Sequence, residues 1–291
     1  YKRQHKVLPY CPRCGTGLSS HEVAQGYRRV EDPSISVRMR IVSDADAEYK
    51  QEQAGKTSLL TWTTTPWTLP ANVGLAVAPD ATYVEVEIDG ERLILAKELV
   101  GRALTGDYRV VREFPGADLV GLAYEPPYRL IDDPRAYRVH AADFVNMEEG
   151  TGIVHTAPAF GEDDYNLGRE KGLPFFQPVD LSGRFTADFP LCAGMFVKDA
   201  DEKIIADLES RGILYRHAPY EHDYPFCWRC NTPLLYYAMD SWYVRTTAVK
   251  DKLIENNRKI NWYPPHVGEG RLGDFLANLK DWALSRDRYW G

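Results

Sequence analysis

The sequence predicts an α+β protein, a barrel-like and mainly antiparallel β domain set between two cysteine knuckles and followed by a partly helical segment. Three observations lead there. Short runs of alternating apolar and polar residues, bounded by turn residues, recur between residues 35 and 156. Two C-x-x-C pairs bracket those runs, with 212 residues between them. Beyond the second pair the strand pattern gives way to helical spacing and aromatic residues.

Taken in order, Cys11-Pro12-Arg13-Cys14 comes first, with Gly15 placed for a tight knuckle turn. Ile35, Val37, Met39 and Ile41 then alternate with Ser36, Arg38 and Arg40, the period of a half-buried strand. Ser58 to Thr64 and Val73 to Val77 read as further strands. Val84, Val86 and Ile88 alternate with Glu85 and Glu87, and Asp89-Gly90 supplies hairpin-turn chemistry before Leu93-Ile94-Leu95. Lys97 to Leu104 reads as a short helix. Tyr108 to Phe114, Tyr137 to His140 and Ile153 to Thr156 read as strands. Asp199 to Glu209 forms a helix, with Asp199 as N-cap, Ile204, Ile205 and Leu208 on one face and Gly212 as the stop. Cys192 has no partner and reads as a buried apolar side chain. Cys227-Trp228-Arg229-Cys230 closes the insertion, with Asn231 in the place Gly15 holds in the first knuckle. Leu253 to Asn257 and Leu272 to Leu284 look helical, separated by Asn261-Trp262-Tyr263-Pro264-Pro265. These readings divide the chain into an outgoing root (1–33), a body (34–216) and a returning root (217–291).

Composition narrows the class. The 291 residues are 44% hydrophobic and 12% aromatic, which excludes disorder and collagen. No run is long and apolar enough for a membrane span and no signal peptide opens the chain, so a cytoplasmic protein without a membrane partner is expected. A start at Tyr1 and a stop directly after Tyr289-Trp290 lead us to expect a piece of something longer. The net charge of −7 is uneven: +5 over residues 1–40, −13 over 41–216 and +1 over 217–291. An acidic excess usually solvates an exterior. A nucleic acid meeting this middle would present an end or a few nucleotides, not a duplex face.

Each C-x-x-C turn aims two thiolates at one point, so the two pairs Cys11/Cys14 and Cys227/Cys230 make a tetrahedral structural zinc site. Arg13 and Arg229 are placed to favour thiolates. Free or redox-active thiols remain the alternative, although a thioredoxin-like pair calls for a single motif between strand and helix. In a self-contained ribbon the halves lie about 12 to 20 residues apart, so here the metal closes the base of a whole inserted domain.

Two segments carry chemistry. Thr61-Trp62-Thr63-Thr64-Thr65-Pro66-Trp67-Thr68-Leu69-Pro70-Ala71-Asn72 is a hydroxyl-dense strand leading into a rigid turn. Its hydroxyls suit ribose, an ester carbonyl or a held water. On composition alone the plainer reading, a threonine-rich β-strand, comes first. The second segment runs from Gly150-Thr151-Gly152 through His155 to Gly161-Glu162-Asp163-Asp164-Tyr165, a turn-strand-turn that opens a helix. Asp164 is either a first-turn partner of the helix dipole or a preorganised anion for an ammonium group. His155 alone is more often a satisfied core histidine than a catalyst. No G-x-S-x-G, H-E-x-x-H or P-loop is present.

Together these segments resemble the editing insertion of the class I aminoacyl-tRNA synthetases, in the form of the isoleucine branch. Valyl and leucyl relatives carry Thr-Thr-Arg-Pro where this chain has Thr63-Thr64-Thr65-Pro66. The ending Asp281-Trp282-Ala283-Leu284-Ser285-Arg286-Asp287-Arg288-Tyr289-Trp290-Gly291 is similar to the family's re-entry into its α/β catalytic domain. His-Ile-Gly-His and Lys-Met-Ser-Lys-Ser are absent, so ATP and Mg2+ belong to the parent enzyme. The resemblance implies hydrolysis of valyl-tRNA(Ile), whose acceptor end enters the barrel; the partners are that tRNA and the remainder of the synthetase chain. It implies that Asp164 binds the α-ammonium, that His155 helps exclude isoleucine and that Trp62 contributes to the pocket wall. Thr63, Thr64, Thr65 and Asn72 position ribose, ester and water. The zinc on Cys11, Cys14, Cys227 and Cys230 is structural. The alternatives are a zinc-ribbon module that docks RNA or a partner without catalysis, and a valyl- or leucyl-type editing domain.

Overall fold

The computed structural model describes residues 1–42, 57–285 and 287. Arg286 and Arg288 to Gly291 of the re-entry segment lie outside the described residues. The chain forms two compact units, Val7–Tyr237 and a smaller one of Tyr1–Lys6 with the segment from Ala238 onward.

The chain begins with β1 (Lys2–Cys11), β2 (Thr16–Gly17), α1 (Ser20–Ala24) and the long β3 (Tyr27–Arg40). Then come β4 (Thr57–Thr63), a 3-10 turn over Pro66–Ala71, β5 (Gly74–Val77), β6 (Thr82–Ile88) and β7 (Glu91–Ala96). After α2 (Val100–Ala103) follow β8 (Arg109–Pro115), β9 (Arg138–Ala141), β10 (Ile153–Thr156), α3 (Glu162–Lys171), α4 (Val197–Ser210) and β11 (Leu214–Pro225). β12 (Leu235–Val244), α5 (Lys250–Lys259), α6 (His266–Glu269), α7 (Arg271–Ala277) and β13 (Trp282–Ala283) complete the described elements.

The larger unit holds a six-stranded sheet, β11-β3-β4-β7-β6-β8, and a three-stranded sheet, β10-β5-β9. The expected mainly antiparallel, barrel-like α+β fold is what forms, as a half-barrel with β10 packed on β4. Only β4–β7 and β5–β9 pair in parallel among the described strands of these sheets. In β3 and β6 the alternating apolar set is buried, with Ile35, Val37, Met39, Val84 and Val86 at 1% exposure or less. Ser36 and Glu85 between them are buried as well, so the strands are covered on both faces there, where a half-buried strand was expected. Asp89 and Gly90 take positive φ of 50° and 80°, the geometry of a two-residue hairpin. Cys192 is buried.

Three expectations need correcting, and one feature was missed. Lys97 to Leu104 is a 3-10 turn over Lys97–Leu99 running into the one-turn α2. The helix expected from Asp199 begins at Val197 with Phe196 as cap, because Val197, Ala200, Ile204 and Leu208 form one continuous buried face. Gly212 does stop it, at φ 68°. The helix expected over Leu272 to Leu284 ends at Ala277. Asp281 is held there by Lys2 and by the amide and hydroxyl of Thr247, at 3.0 and 2.6 Å, and the chain continues as β13 against β12. Tertiary bonds outweigh helix propensity at this point. Finally, the ribbon of Tyr27 to Val37 against β11 was not read from sequence, since it is polar and carries Pro33 opposite Pro219. A period-2 aromatic series marks it: Tyr220, His222, Tyr224 and Phe226 pack tilted or edge-on in succession, their ring centroids 5.4 to 5.8 Å apart.

Candidate active site and cysteine cluster

The site forms where β4 ends. The 3-10 turn carries the chain from β4 to β5, and β10 pairs with β5 so that His155 stands opposite Leu75. This places both sequence segments against each other. Thr68 Oγ1 lies 2.8 Å from His155 Nε2, and Asn72 Nδ2 lies 3.1 Å from His155 Nδ1.

Hydrogen-bond directions follow from the carbonyls. Asn72 Nδ2 donates to Gly74 O at 2.9 Å and Asn72 Oδ1 accepts from the Tyr124 hydroxyl at 2.5 Å, which fixes the amide orientation. His155 Nδ1 is therefore an acceptor, and its Nε2–H donates to Thr68 Oγ1. Thr68 Oγ1 in turn donates to Thr65 O at 2.8 Å. It also lies 3.3 Å from Thr65 Oγ1, which lies 3.2 Å from Thr63 Oγ1. A continuous chain thus runs from Tyr124 through Asn72, His155, Thr68 and Thr65 to Thr63. Burial lowers His155 to about 4, so the ring is neutral at physiological pH. With both nitrogens engaged, it has no lone pair left for a general base.

Asn72 is wholly buried with both amide hydrogens and Oδ1 used. Its amide thus holds the His155 ring, with Tyr124 and Gly74 as its other partners. Thr68 and Tyr124 were missed from sequence. Thr68 had a signal, its place in the threonine run, whereas Tyr124 reaches the site only through the fold. Tyr124→Phe leaves Asn72 Oδ1 buried without a donor and is expected to destabilise by about 1–3 kcal/mol. A urea midpoint unchanged from wild type would refute this assignment.

Asp164 sits in the first turn of α3, after the N-cap Gly161. Its Oδ2 accepts the Ala157 N–H at 2.9 Å, two residues beyond His155, while Oδ1 has no hydrogen bond among the described residues. A Cβ on Gly161 would stand 2.7 Å from the carboxyl group, so glycine is required for this approach. Burial, opposed by the Ala157 N–H and aided by Asp163, raises the carboxyl to about 6. Asp164 is thus a first-turn acid of α3 with one carboxyl oxygen that has no hydrogen-bond donor among the described residues.

Thr64 makes no hydrogen bond among the described residues and is half-buried. Strand alternation turns Trp62 to the opposite face of β4 from Thr61 and Thr63, opposite Ser36. There it packs edge-on to Tyr220 at 5.4 Å and lines a recess of about 260 Å³ with Gly150, Arg102 and Arg216. Gly150 is required at that wall, since a Cβ would meet the Trp62 ring at 2.9 Å.

At the base of the larger unit the four knuckle cysteines converge, with all four sulfurs within 4.8 Å of one another. Cys11–Cys230, Cys14–Cys230 and Cys14–Cys227 are 3.5, 3.6 and 4.0 Å apart. A tetrahedron with metal–sulfur bonds of about 2.3 Å has edges of about 3.8 Å, so the donor set fits a four-coordinate ion. Gly15 and Asn231 take φ of 65° and 58°, as the two knuckle turns demand. Arg229 lies over the Trp228 ring at 4.4 Å and 3.7 Å from Glu22.

The model for class I tRNA synthetases of the I, L, M and V group matches residues 1–291. The chain belongs to the class I tRNA synthetases. It is similar to the isoleucine–tRNA ligases of Streptomyces coelicolor (50% identity over 291 residues) and Clostridium novyi (51% over 288), each alignment covering 99% of this chain. The chain spans 27% of the length of these curated relatives. Among solved structures it resembles the crystal structure of GlLeuRS-CP1, with a TM-score of 0.51 and 15% identity, over 64% of this chain and 97% of that one. At that identity the likeness concerns the fold. This synthetase segment has, among its described residues, no helix long and apolar enough to cross a membrane.

Proposed function

We propose that this segment edits mischarged tRNA, hydrolysing the ester that joins valine to the terminal adenosine of tRNA(Ile). The observation that supports this best is Asp164, a partly desolvated carboxylate with one open oxygen, tied to the segment that carries His155. A carboxylate held this way suits the α-ammonium of an aminoacyl ester.

In this reading the residues divide the steps. Asp164 holds the ammonium and fixes the amino acid. Thr63, Thr64 and Thr65 orient the ester and a water molecule. His155, neutral and held by Asn72, stands with Thr68 beside the side-chain pocket and helps exclude the added methylene of isoleucine. Water attacks the ester carbonyl carbon, the bond to the ribose oxygen breaks, and the proton from water ends on that oxygen. Free valine and deacylated tRNA leave. No general base on the protein is required, so catalysis comes from positioning and hydrogen bonding.

A second sieve of this kind answers a physical limit. One methylene in an apolar pocket is worth only about 1–3 kcal/mol, a limit for which isoleucyl-tRNA synthetases are themselves the familiar illustration. The cysteine cluster holds zinc, which fastens the two knuckles together and takes no part in the ester chemistry. ATP and Mg2+ serve the synthetic reaction of the whole enzyme, in the cytoplasm. The outgoing root (1–33) and the returning root (217–291) tie the editing body (34–216) to the remainder of the synthetase chain.

The test is deacylation of valyl-tRNA(Ile) beside threonyl-tRNA(Val). Hydrolysis of the first and not the second is expected. Preference for the second would move the segment to the valyl branch, and hydrolysis of neither would make it a binding module.

A further inference from the structure

The turn that carries Thr65 and Thr68 is a single irregular 3-10 segment. Its first residue, Pro66, has no N–H, so Trp67 provides its leading donor. Both residues are buried, and a buried N–H without an acceptor is costly. The acceptor comes from 134 positions away: Asp201 Oδ1, on α4, lies 2.9 Å from the Trp67 nitrogen. Asp201 is only 3% exposed and lies on the helix face formed by Val197, Ala200, Ile204 and Leu208. Burial raises its carboxyl to about 7, with Lys198 and the Trp67 N–H opposing and Asp32 adding. An apolar residue at this position would pack at lower desolvation cost, so the carboxylate is there for the bond it makes.

We propose that Asp201 is a positioning residue of the editing site, holding through Trp67 the turn that presents Thr65 and Thr68. Trp67 serves both halves of the site, because its ring also packs edge-on against Phe160 of the second segment at 4.9 Å. The first turn of α4 is anchored in its turn. Lys198 Nζ lies 2.8 Å from Asp32 on β3 and 4.4 Å from the centroid of the Tyr224 ring on β11, and His222 Nε2 lies 3.0 Å from the same Asp32 oxygen. The ribbon thus fixes α4, α4 fixes Trp67, and Trp67 fixes the threonines. Displacements of about 1 Å in such positioning groups cost up to about a hundredfold in rate.

The inference deepens the editing assignment and rests on it for its kinetic half. In the full-length enzyme, Asp201→Ala is expected to lower kcat for valyl-tRNA(Ile) deacylation about tenfold or more, with KM within about twofold. It also speeds amide exchange at Trp67. Asp201→Asn keeps an acceptor oxygen without the charge and stays near wild type in both readouts. Wild-type kcat in the alanine variant, equal damage in both variants, or unchanged Trp67 exchange would each overturn the inference. If the wild-type enzyme fails to deacylate valyl-tRNA(Ile), the editing assignment falls, and the exchange comparison still decides whether Asp201 holds the turn.

Discussion

Asp164→Asn is expected to cut deacylation of valyl-tRNA(Ile) by about a hundredfold or more and, at pH 8, to raise the melting temperature. The first effect follows from losing the charge that meets the ammonium. Breaking a desolvated ion pair costs about 3–5 kcal/mol, and each 1.4 kcal/mol is about tenfold in rate. The second effect follows from linkage. The folded carboxyl titrates near 6 against a usual 3.8, so its ionised form is the disfavoured one in the fold. The stability it contributes is complete below pH 3.8 and is lost as pH rises through 6. At pH 8 the penalty is on the order of 3 kcal/mol at most. Asparagine keeps an oxygen for the Ala157 N–H and carries no charge, so its advantage is absent below pH 4 and full above pH 6. His155 runs the other way: with its folded value near 4, its contribution is present above 6.5 and lost as pH falls through 4. The two groups offset each other in the wild-type protein, and the variant should show a steeper loss toward acid. An active variant, or one no more stable at pH 8 than wild type, would remove Asp164 from the place given to it.

Cys11→Ser is expected to release a single bound zinc per chain and to unfold the base of the larger unit, leaving the half-barrel folded. Structural zinc contributes on the order of 10 kcal/mol or more of binding free energy in small domains. The apolar support of the knuckles is small: Leu18, Val23 and Leu234 with Cys11 and Cys227 make a cluster of their own, beside polar contacts such as Arg28 to Asn231 and Phe226 N–H to Gly26 O. The sheet has a separate apolar core of Leu60, Val84, Val86, Leu93 and Leu95, so its protection should survive. Amide exchange resolves the two regions. Protection lost around residues 7–26 and 226–235 and retained in β6 and β7 is the expected pattern. A chelator should reproduce it in the wild-type protein, and a metal-free protein with an unchanged melting profile would contradict the zinc assignment.

What was legible in the sequence was whatever local physics determines. Period-2 alternation gave β3 and β6, and a short apolar run gave β10; Asp89-Gly90 gave the hairpin; paired cysteines gave the cluster. The missed features depend on contacts between distant residues. Tyr124 and Asp201 carry no local mark, because their roles come from a loop and a helix packed onto the threonine turn from elsewhere in the chain. The polar ribbon escaped because its apolar pattern is weak and its prolines read as breaks, whereas its stability comes from the ladder and the aromatic series along β11. Asn72 lies beside His155, in the neighbourhood the motif suggested, but its complete burial is not visible in a motif. The break after Ala277 shows the same point, because Asp281 has partners at Lys2 and Thr247 that helical spacing cannot anticipate.

The central claim is that the His155–Thr68 wall admits valine and excludes isoleucine, while Asp164 and the threonines hydrolyse what enters. Initial rates of deacylation of valyl-tRNA(Ile) and isoleucyl-tRNA(Ile) by the same enzyme preparation test it most directly. The account predicts rapid loss of the valyl ester and persistence of the isoleucyl ester, with His155→Ala narrowing the difference. Equal rates on the two esters in the wild-type enzyme would contradict it.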